Sequence, residues 1–444
     1  LIHKYKLNDK FILLDINSGG VFKIDEITYD ILDHYPEKDR NTVTKLLQSK
    51  YKVLDIGQSI DEIDTLISSD ELFSEQESIT YDFKNNTSIK AMCLHVSHDC
   101  NIRCKYCFAS QGNFQGEKLL MDEETGKAAI DFLIYNSIGR RNLEIDFFGG
   151  EPLLNFALIK KLVNYARDKE VQHNKNFRFT ITTNALLLND ENIEYINDNM
   201  DNVVLSIDGR KETNDNMRYT INNQGTYDII IDNLKNLVNK RGDKDYYLRG
   251  TFTKFNLDFS NDVLHLADCG FDKISVEPVV AKPDMDYALC KEDLPKLFDE
   301  YEKLSIQYLK RKKDNPFNFF HFNIDLDHGP CLYKRVSGCG AGNDYIAITP
   351  LGDIYPCHQF VGDEKFKLGS LETGIINKDI KDQFYKANLV EKTKCTDCWA
   401  KYYCGGGCLA NAYNTNLDIL SPDEVGCELE KKRLECAIMI QTEQ

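Results

Sequence analysis

The spacing of apolar positions changes character three times along the chain. The first stretch reads as short alternating runs, HKYKL at 3–7, FILLDI at 11–16 and GVFKI at 20–24, with turn residues NSGG at 17–20. Such runs, bounded by turn residues, predict strands. A helical period follows in EITYDILDHY at 26–35, then near 40–50 and 60–73. Three small strands followed by three helices suggest a winged-helix-like module over 1–75, and the polar segment at 76–90 reads as a linker.

From 91 to 313 the pattern alternates between β-branched runs and amphipathic helices. The predicted strands are CLHVS at 93–97, LEIDFFG at 143–149, RFTITTN at 178–184, VVLSID at 203–208, YLRGTFT at 247–253 and ISVEPVV at 274–280. Helices are predicted near 122–138, 155–173, 189–199, 225–240, 258–269 and 291–313. Six βα units imply an α/β fold with a parallel sheet buried on both faces, forming a partial rather than a closed barrel. Sites in such sheets lie at the carboxyl ends of the strands.

Beyond the basic run KRKK at 310–313 and Pro316 the pattern changes again. YIAITP at 345–350 and IYPCH at 354–358 read as a hairpin turned by PLGD at 350–353. The remainder of 314–444 reads as loop-rich, with little core of its own and a need for metal to hold it.

Composition narrows the classes. A formal net charge of −17 argues against a nucleic-acid partner, and no long uncharged apolar run marks a membrane span or signal peptide. A cytoplasmic location is the expectation. Fifteen cysteines in such a compartment point to metal or redox chemistry rather than disulfides. They are clumped, three within 100–107 and seven between 339 and 427.

Cys100, Cys104 and Cys107 are spaced C-x3-C-x2-C after the first strand of the βα region, and GGEP at 149–152 follows the second. Three thiolates on a short loop can hold one face of a four-iron cluster, which leaves one iron open; C-x2-C alone would also suit zinc. With Tyr106 before the last cysteine, the set resembles the radical S-adenosylmethionine enzymes. The resemblance implies that the cofactor's methionine amine and carboxylate occupy the open iron. It implies close backbone approach at Gly149 and Gly150, and Glu151 accepting from the cofactor ammonium. It further implies cofactor contacts from Asn184 and Ser206 at strand ends, Arg218 on the carboxylate, Glu277 beside Pro278 near the adenine, and the Tyr106 backbone. The plainer alternative for a polar residue closing a strand, as at Asn184 and Ser206, is a helix cap. Asp208 is open between an acid–base role and a turn before Gly209.

The second cysteine group runs Cys339, Gly352, Cys357, then C-x2-C-x5-C-x3-C at 395–408, then Cys427. It resembles the SPASM extension of radical enzymes that modify peptides. By that resemblance Cys395, Cys398, Cys404 and Cys427 ligate a distal auxiliary [4Fe-4S] cluster. Cys339, Cys357 and Cys408 ligate a proximal one, completed by Cys331 or by a substrate thiolate. Together with the first cluster this makes three. The alternative is a pair of zinc sites. Cys93, Cys269, Cys290 and Cys436 are expected to be small buried apolar residues.

The N-terminal module resembles the element that recognises leader peptides of ribosomally made natural products, taking the leader as an edge strand. A packing or dimerisation role is its plainer reading. Over the whole chain, from IHKYKL at 2–7 through NSGGVF at 17–22 and FFGGEPLLNF at 147–156, the likeness is to maturases of SCIFF peptides. Those enzymes join a cysteine sulfur to carbon as a thioether within a cysteine-rich precursor peptide. The implied partners are that precursor and an external electron donor of flavodoxin or ferredoxin type. Two rivals stand beside this reading. One is formylglycine formation or epimerisation by the same chemistry, and the other is a non-enzymatic iron–sulfur electron-transfer or regulatory protein.

Overall fold

The computed structural model describes residues 1–76, 88–326 and 332–443. Residues 77–87 of the expected linker, and Cys331, lie outside the described residues.

Strands β1 (Ile2–Leu7), β2 (Lys10–Asp15) and β3 (Val21–Ile24) form an antiparallel sheet in that order. Helices α1 (Glu26–Ile31), α2 (Arg40–Leu47) and α3 (Val53–Ser68) follow, the first two capped by the side chains of Asp25 and Asp39. The third begins at Val53, well before the expected position near 60; its first two residues, Val53 and Leu54, are 57% and 70% exposed, and its buried stripe starts only at Ile56. The sheet buries both faces. Leu13, Phe22 and Ile24 pack with Ile31, Val43, Ile56 and Ile60, whereas Tyr5, Leu7, Ile12 and Leu14 join the main core of the protein. The module is therefore built onto the body rather than merely tethered to it.

The central region supplies β4 (Ala91–Ser97), β5 (Ile102–Cys104), α4 (Glu123–Asn136), β6 (Asn142–Gly149), α5 (Phe156–His173), β7 (Asn176–Thr183), α6 (Asp190–Asn199), β8 (Asn202–Ser206), α7 (Lys211–Met217), β9 (Arg218–Thr220), α8 (Tyr227–Arg241), β10 (Asp245–Phe252), α9 (Phe259–Asp268), β11 (Lys273–Pro278) and α10 (Leu294–Arg311). β4, β6, β7, β8, β10 and β11 lie side by side, parallel and in chain order, as a partial barrel. Of the two faces expected to be buried, only the outer one is continuously apolar. Burial alternates along β6, β7 and β10, with Leu143, Ile145 and Phe147 under the helices, while Asp146, Thr182 and Arg249 face the other way. Curvature turns that second face into a lumen, so it can be polar.

The barrel stays open: β12 (Asn318–Phe319) extends the sheet beyond β11. After α11 (Leu332–Ser337), β13 (Tyr345–Ile348) adds in parallel to β4 at the opposite edge. β14 (Asp353–Tyr355) closes the expected hairpin, and β15 (Gly369–Ser370) and β16 (Gly374–Ile375) continue outward. Short helices α12 (Lys378–Lys386), α13 (Thr393–Thr396), α14 (Lys401–Cys404) and α15 (Leu409–Asn416) follow, with Cys395 in α13, Cys404 ending α14 and Cys408 preceding α15, and α16 (Glu424–Thr442) holds Cys427.

The expectation of little core in this last region is also corrected. Leu429, Leu434 and the run Cys436–Ile440 of α16 are buried. The charged stretch ELEKKRLE at 428–435 hid the helix, since its charges are paired rather than solvated: Arg433 with Glu430, Lys432 with Glu302, and Glu435 with His3. Helix α16 thus lies between α10 and β1. There the His3 ring stacks on Trp399 at 3.8 Å and 4°, and the Tyr5 hydroxyl donates to the Glu435 carbonyl at 2.8 Å. Among the described residues no helix is long and apolar enough to cross a membrane.

Candidate active site

The loop after β4 places Cys100, Cys104 and Cys107 at the carboxyl end of the barrel. Short strand β5 holds Cys104 opposite Arg218 of β9. The loop is seated on the end of β6: Gly150 N–H donates to the Ser97 carbonyl and Glu151 N–H to that of Asp99, both at 2.8 Å. A side chain has no room there, since a Cβ on Gly149 would stand 2.1 Å from the Ser97 oxygen and one on Gly150 2.2 Å from that of Asp99. The glycines are needed first by the chain's own backbone, a reason distinct from close cofactor approach.

Glu151 is buried. One carboxylate oxygen accepts from Thr183 Oγ1 at 2.7 Å and Leu153 N–H at 3.0 Å, and the other from Asn184 N–H at 2.8 Å. The Asn184 side chain donates to Asn101 at 2.8 Å and stands 3.7 Å from Cys100 Sγ. Arg218 donates to the Tyr106 hydroxyl at 2.9 Å, which donates to Asp208 at 2.7 Å. Asp208 also accepts from Thr251 N–H at 3.1 Å, so this buried carboxylate braces the cysteine loop. Burial pushes its carboxyl up to about 6, against the pull of Arg218. Ser206 sits half-buried at the end of β8. Glu277 pairs with Arg249 at 2.7 Å; burial works against ionisation there, but Arg249 and His321 hold the carboxyl below its ordinary range.

Burial pushes the Cys100 and Cys104 thiols up to about 12, so only a bound metal would hold them as thiolates near neutral pH. Burial likewise raises Glu151 from 4.5 to about 7. A carboxyl raised on folding binds more protons folded than unfolded, so its contribution to stability falls as pH rises from about 4.5 to 7. Glu151→Gln is therefore expected to lose less stability between pH 5 and pH 8 than the wild type, in cofactor-free thermal unfolding at each pH.

The second cysteine group is spread over two places. Cys395, Cys398, Cys404 and Cys427 all line one cavity of 630 Å³. Cys339 and Cys408 are the thiols whose charge is felt at Cys357. Among the described residues no three ligating side chains converge on a point suited to a single metal ion. Of the cysteines expected to be buried and apolar, Cys93 and Cys436 are buried; Cys269 and Cys290 are only half-buried, with polar neighbours, His265 at 3.7 Å from Cys269 and Asp293 at 3.1 Å from Cys290.

Segment 94–251 matches the family model of the radical SAM superfamily, and 339–399 matches SPASM, an iron–sulfur cluster-binding domain. An uncharacterized protein of Methanocaldococcus jannaschii is 30% identical over 62% of this chain and 86% of its own length. The chain belongs to the radical SAM superfamily. The radical SAM cyclopropyl synthase TigE of Paramaledivibacter caminithermalis is 25% identical across 97% of this chain and 94% of that protein. In fold, the chain follows Streptococcus suis SuiB, solved bound to its precursor peptide SuiA, with a TM-score of 0.56, 18% identity, and 96% and 98% of the two chains covered.

Radical SAM enzymes use an iron–sulfur cluster and S-adenosylmethionine, and the residues present fit both. Around the first cysteine loop, Arg218 Nε, Asn101 Nδ2 and His95 Nε2 are buried without a partner. Two of these, on Arg218 and Asn101, are donors, suited to a carboxylate or to sulfide. The cavity ringed by four cysteines has room for a polynuclear cluster.

Several residues of the site carried no signal that the motifs could reveal. Asp146 faces the lumen, and burial pushes its carboxyl up to about 7. His358 follows Cys357 and packs between Phe108 and Phe148 at 5.4 and 5.2 Å, joining the proximal cysteines to the first loop. A histidine next to a motif cysteine was the one available cue.

Proposed function

We propose that this radical SAM enzyme installs intramolecular thioether crosslinks, cysteine sulfur to carbon, in a cysteine-rich precursor peptide. The observation that carries the reading is the proximity of the proximal cysteines to the first loop, with His358, Phe108 and Phe148 between them. A thiol held at Cys339, Cys357 and Cys408 would lie beside the lumen where the carbon is activated. Support comes also from the full-length likeness to a peptide-bound maturase and to TigE. S-adenosylmethionine, reductively cleaved at its cluster, supplies a 5′-deoxyadenosyl radical that can take hydrogen from an unactivated carbon.

The chain's own residues do the rest. Cys100, Cys104 and Cys107 hold the first cluster. Glu151, Asn184, Ser206, Arg218, Glu277 and the backbone at Tyr106, Gly149 and Gly150 orient the cofactor. Cys395, Cys398, Cys404 and Cys427 hold the distal auxiliary cluster. The module at 1–75 takes the leader.

The test is anaerobic reaction with a precursor peptide under reductant, read by mass and by thiol alkylation. Loss of two hydrogens together with one alkylatable cysteine supports a thioether. Loss of two hydrogens with every cysteine still alkylatable points instead to carbon–carbon ring closure, the reading that likeness to a cyclopropyl synthase favours. Unchanged mass points to epimerisation.

For the leader, β3 is one of the two edge strands of the sheet. Asp15 N–H bonds the Gly20 carbonyl, so the antiparallel alternation turns the N–H groups of Val21 and Lys23 outward. Nearby α3 exposes Val53 and Leu54 for apolar side chains. Val21→Pro removes one outward donor at an edge that tolerates proline. It is expected to weaken leader binding about tenfold with no loss of thermal stability, read by calorimetry and melting.

A further inference from the structure

Lys392 is only 1% exposed, a rare state for a lysine. Its Nζ donates to the Gly406 carbonyl at 2.8 Å, and a Cβ on Gly406 would meet that Nζ at 3.4 Å. Gly406 lies in the turn between Cys404 of the distal set and Cys408 of the proximal set. An ammonium carries three donors, and Gly406 takes one of them. Thiols of both sets lie close enough to act on the Lys392 charge, Cys395 and Cys404 of the distal set and Cys339 and Cys408 of the proximal set. Among the described residues, the one carboxylate that responds to its charge, Asp418, is exposed to solvent. A buried cation facing neutral thiols, with its one carboxylate partner out in solvent, is poorly compensated. Facing thiolates and sulfide, it has a full set of partners.

We infer that Lys392 is a positioning residue shared by both auxiliary sites, its ammonium offsetting the negative charge of the two cysteine sets and donating its remaining N–H groups to their sulfur. This rests on the cluster-ligand reading of those cysteines and not on thioether formation. A nearby positive charge favours the reduced, more negative cluster, so it raises the reduction potential. One residue between two sites should move both potentials together and leave that of the first cluster unchanged.

The experiment is a potentiometric titration followed by electron paramagnetic resonance on the reconstituted holoenzyme, comparing wild type, Lys392→Met and Lys392→Arg. The first cluster is identified by the change in its signal on adding S-adenosylmethionine. Lys392→Met is expected to shift both auxiliary signals to lower potential by at least a tenfold change in the reduced-to-oxidised ratio, about 59 mV for one electron. Lys392→Arg is expected to restore them. If Lys392→Met fails to load auxiliary iron while Lys392→Arg loads it, the need for charge is shown by the iron count instead. Wild-type midpoints in a fully loaded Lys392→Met overturn the inference. So does a Lys392→Arg protein as defective as Lys392→Met, because position 392 would then serve packing alone. A wild type without auxiliary clusters would instead sink the cluster-ligand reading itself.

Discussion

Cys104→Ala is expected to abolish cofactor cleavage and peptide modification together, while leader binding persists. Cys104 is placed by the β5–β9 pairing, opposite Arg218, at the centre of the first loop. Without it two thiols remain, and two cannot hold three irons of a cluster. Iron should fall by about four per chain from the roughly twelve that three clusters would contain. The rate of 5′-deoxyadenosine release should drop to background. The module at 1–75 lies elsewhere, packed on α16 and its own helices, so calorimetric affinity for the leader should stay within about twofold. Cys93→Ala is the matched control. That cysteine is buried in β4, and its loss should leave cleavage intact. Modified peptide from the Cys104→Ala enzyme would falsify the radical reading.

Much of this architecture was legible because helix and strand periods are local. The six barrel strands and their helices fall within a few residues of where apolar spacing puts them. The cysteine pattern likewise resembles the SPASM extension, and that resemblance, not spacing alone, is what implies two auxiliary sets. What escaped depends on pairing at a distance. Nothing in YIAI at 345–348 says that it joins β4 in parallel, some two hundred and fifty residues earlier in the chain. The polar lumen face escaped because a strand alternating Asp146 with Phe147 reads the same in a half-exposed sheet. Helix α16 was hidden by charges whose partners, Glu302 and His3, lie in other elements. Lys392 escaped for the same reason, as EKTKC reads as a solvated surface until Gly406 and the cysteines close round it.

The glycines of GGEP lead to the other large expected effect. Gly150→Ala should cost nearly as much activity as losing a cysteine, although it touches no thiol. Its Cβ would lie 2.2 Å from the Asp99 oxygen, 2.6 Å from the Asp99 carbonyl carbon and 2.9 Å from the Gly112 Cα. All three are backbone atoms, so no side chain can rotate away. Asp99 directly precedes Cys100, and its carbonyl is fixed by the bond from Glu151 N–H. Relief to ordinary contact requires the loop to retreat by about 1 Å. That movement shifts Cys100 relative to Glu151 and Asn184, which are held by β7 and do not follow. A displacement of that size between reacting groups costs roughly a hundredfold in rate. Cofactor cleavage in Gly150→Ala is expected to fall by at least that factor, with partial loss of iron from the first site. Gly139→Ala provides the contrast. A Cβ there meets nothing within 4 Å, and its cleavage rate and melting temperature should match the wild type. Wild-type cleavage in Gly150→Ala would mean that the loop adapts freely, and that the tight seating of Asp99 on Gly150 has no part in placing Cys100.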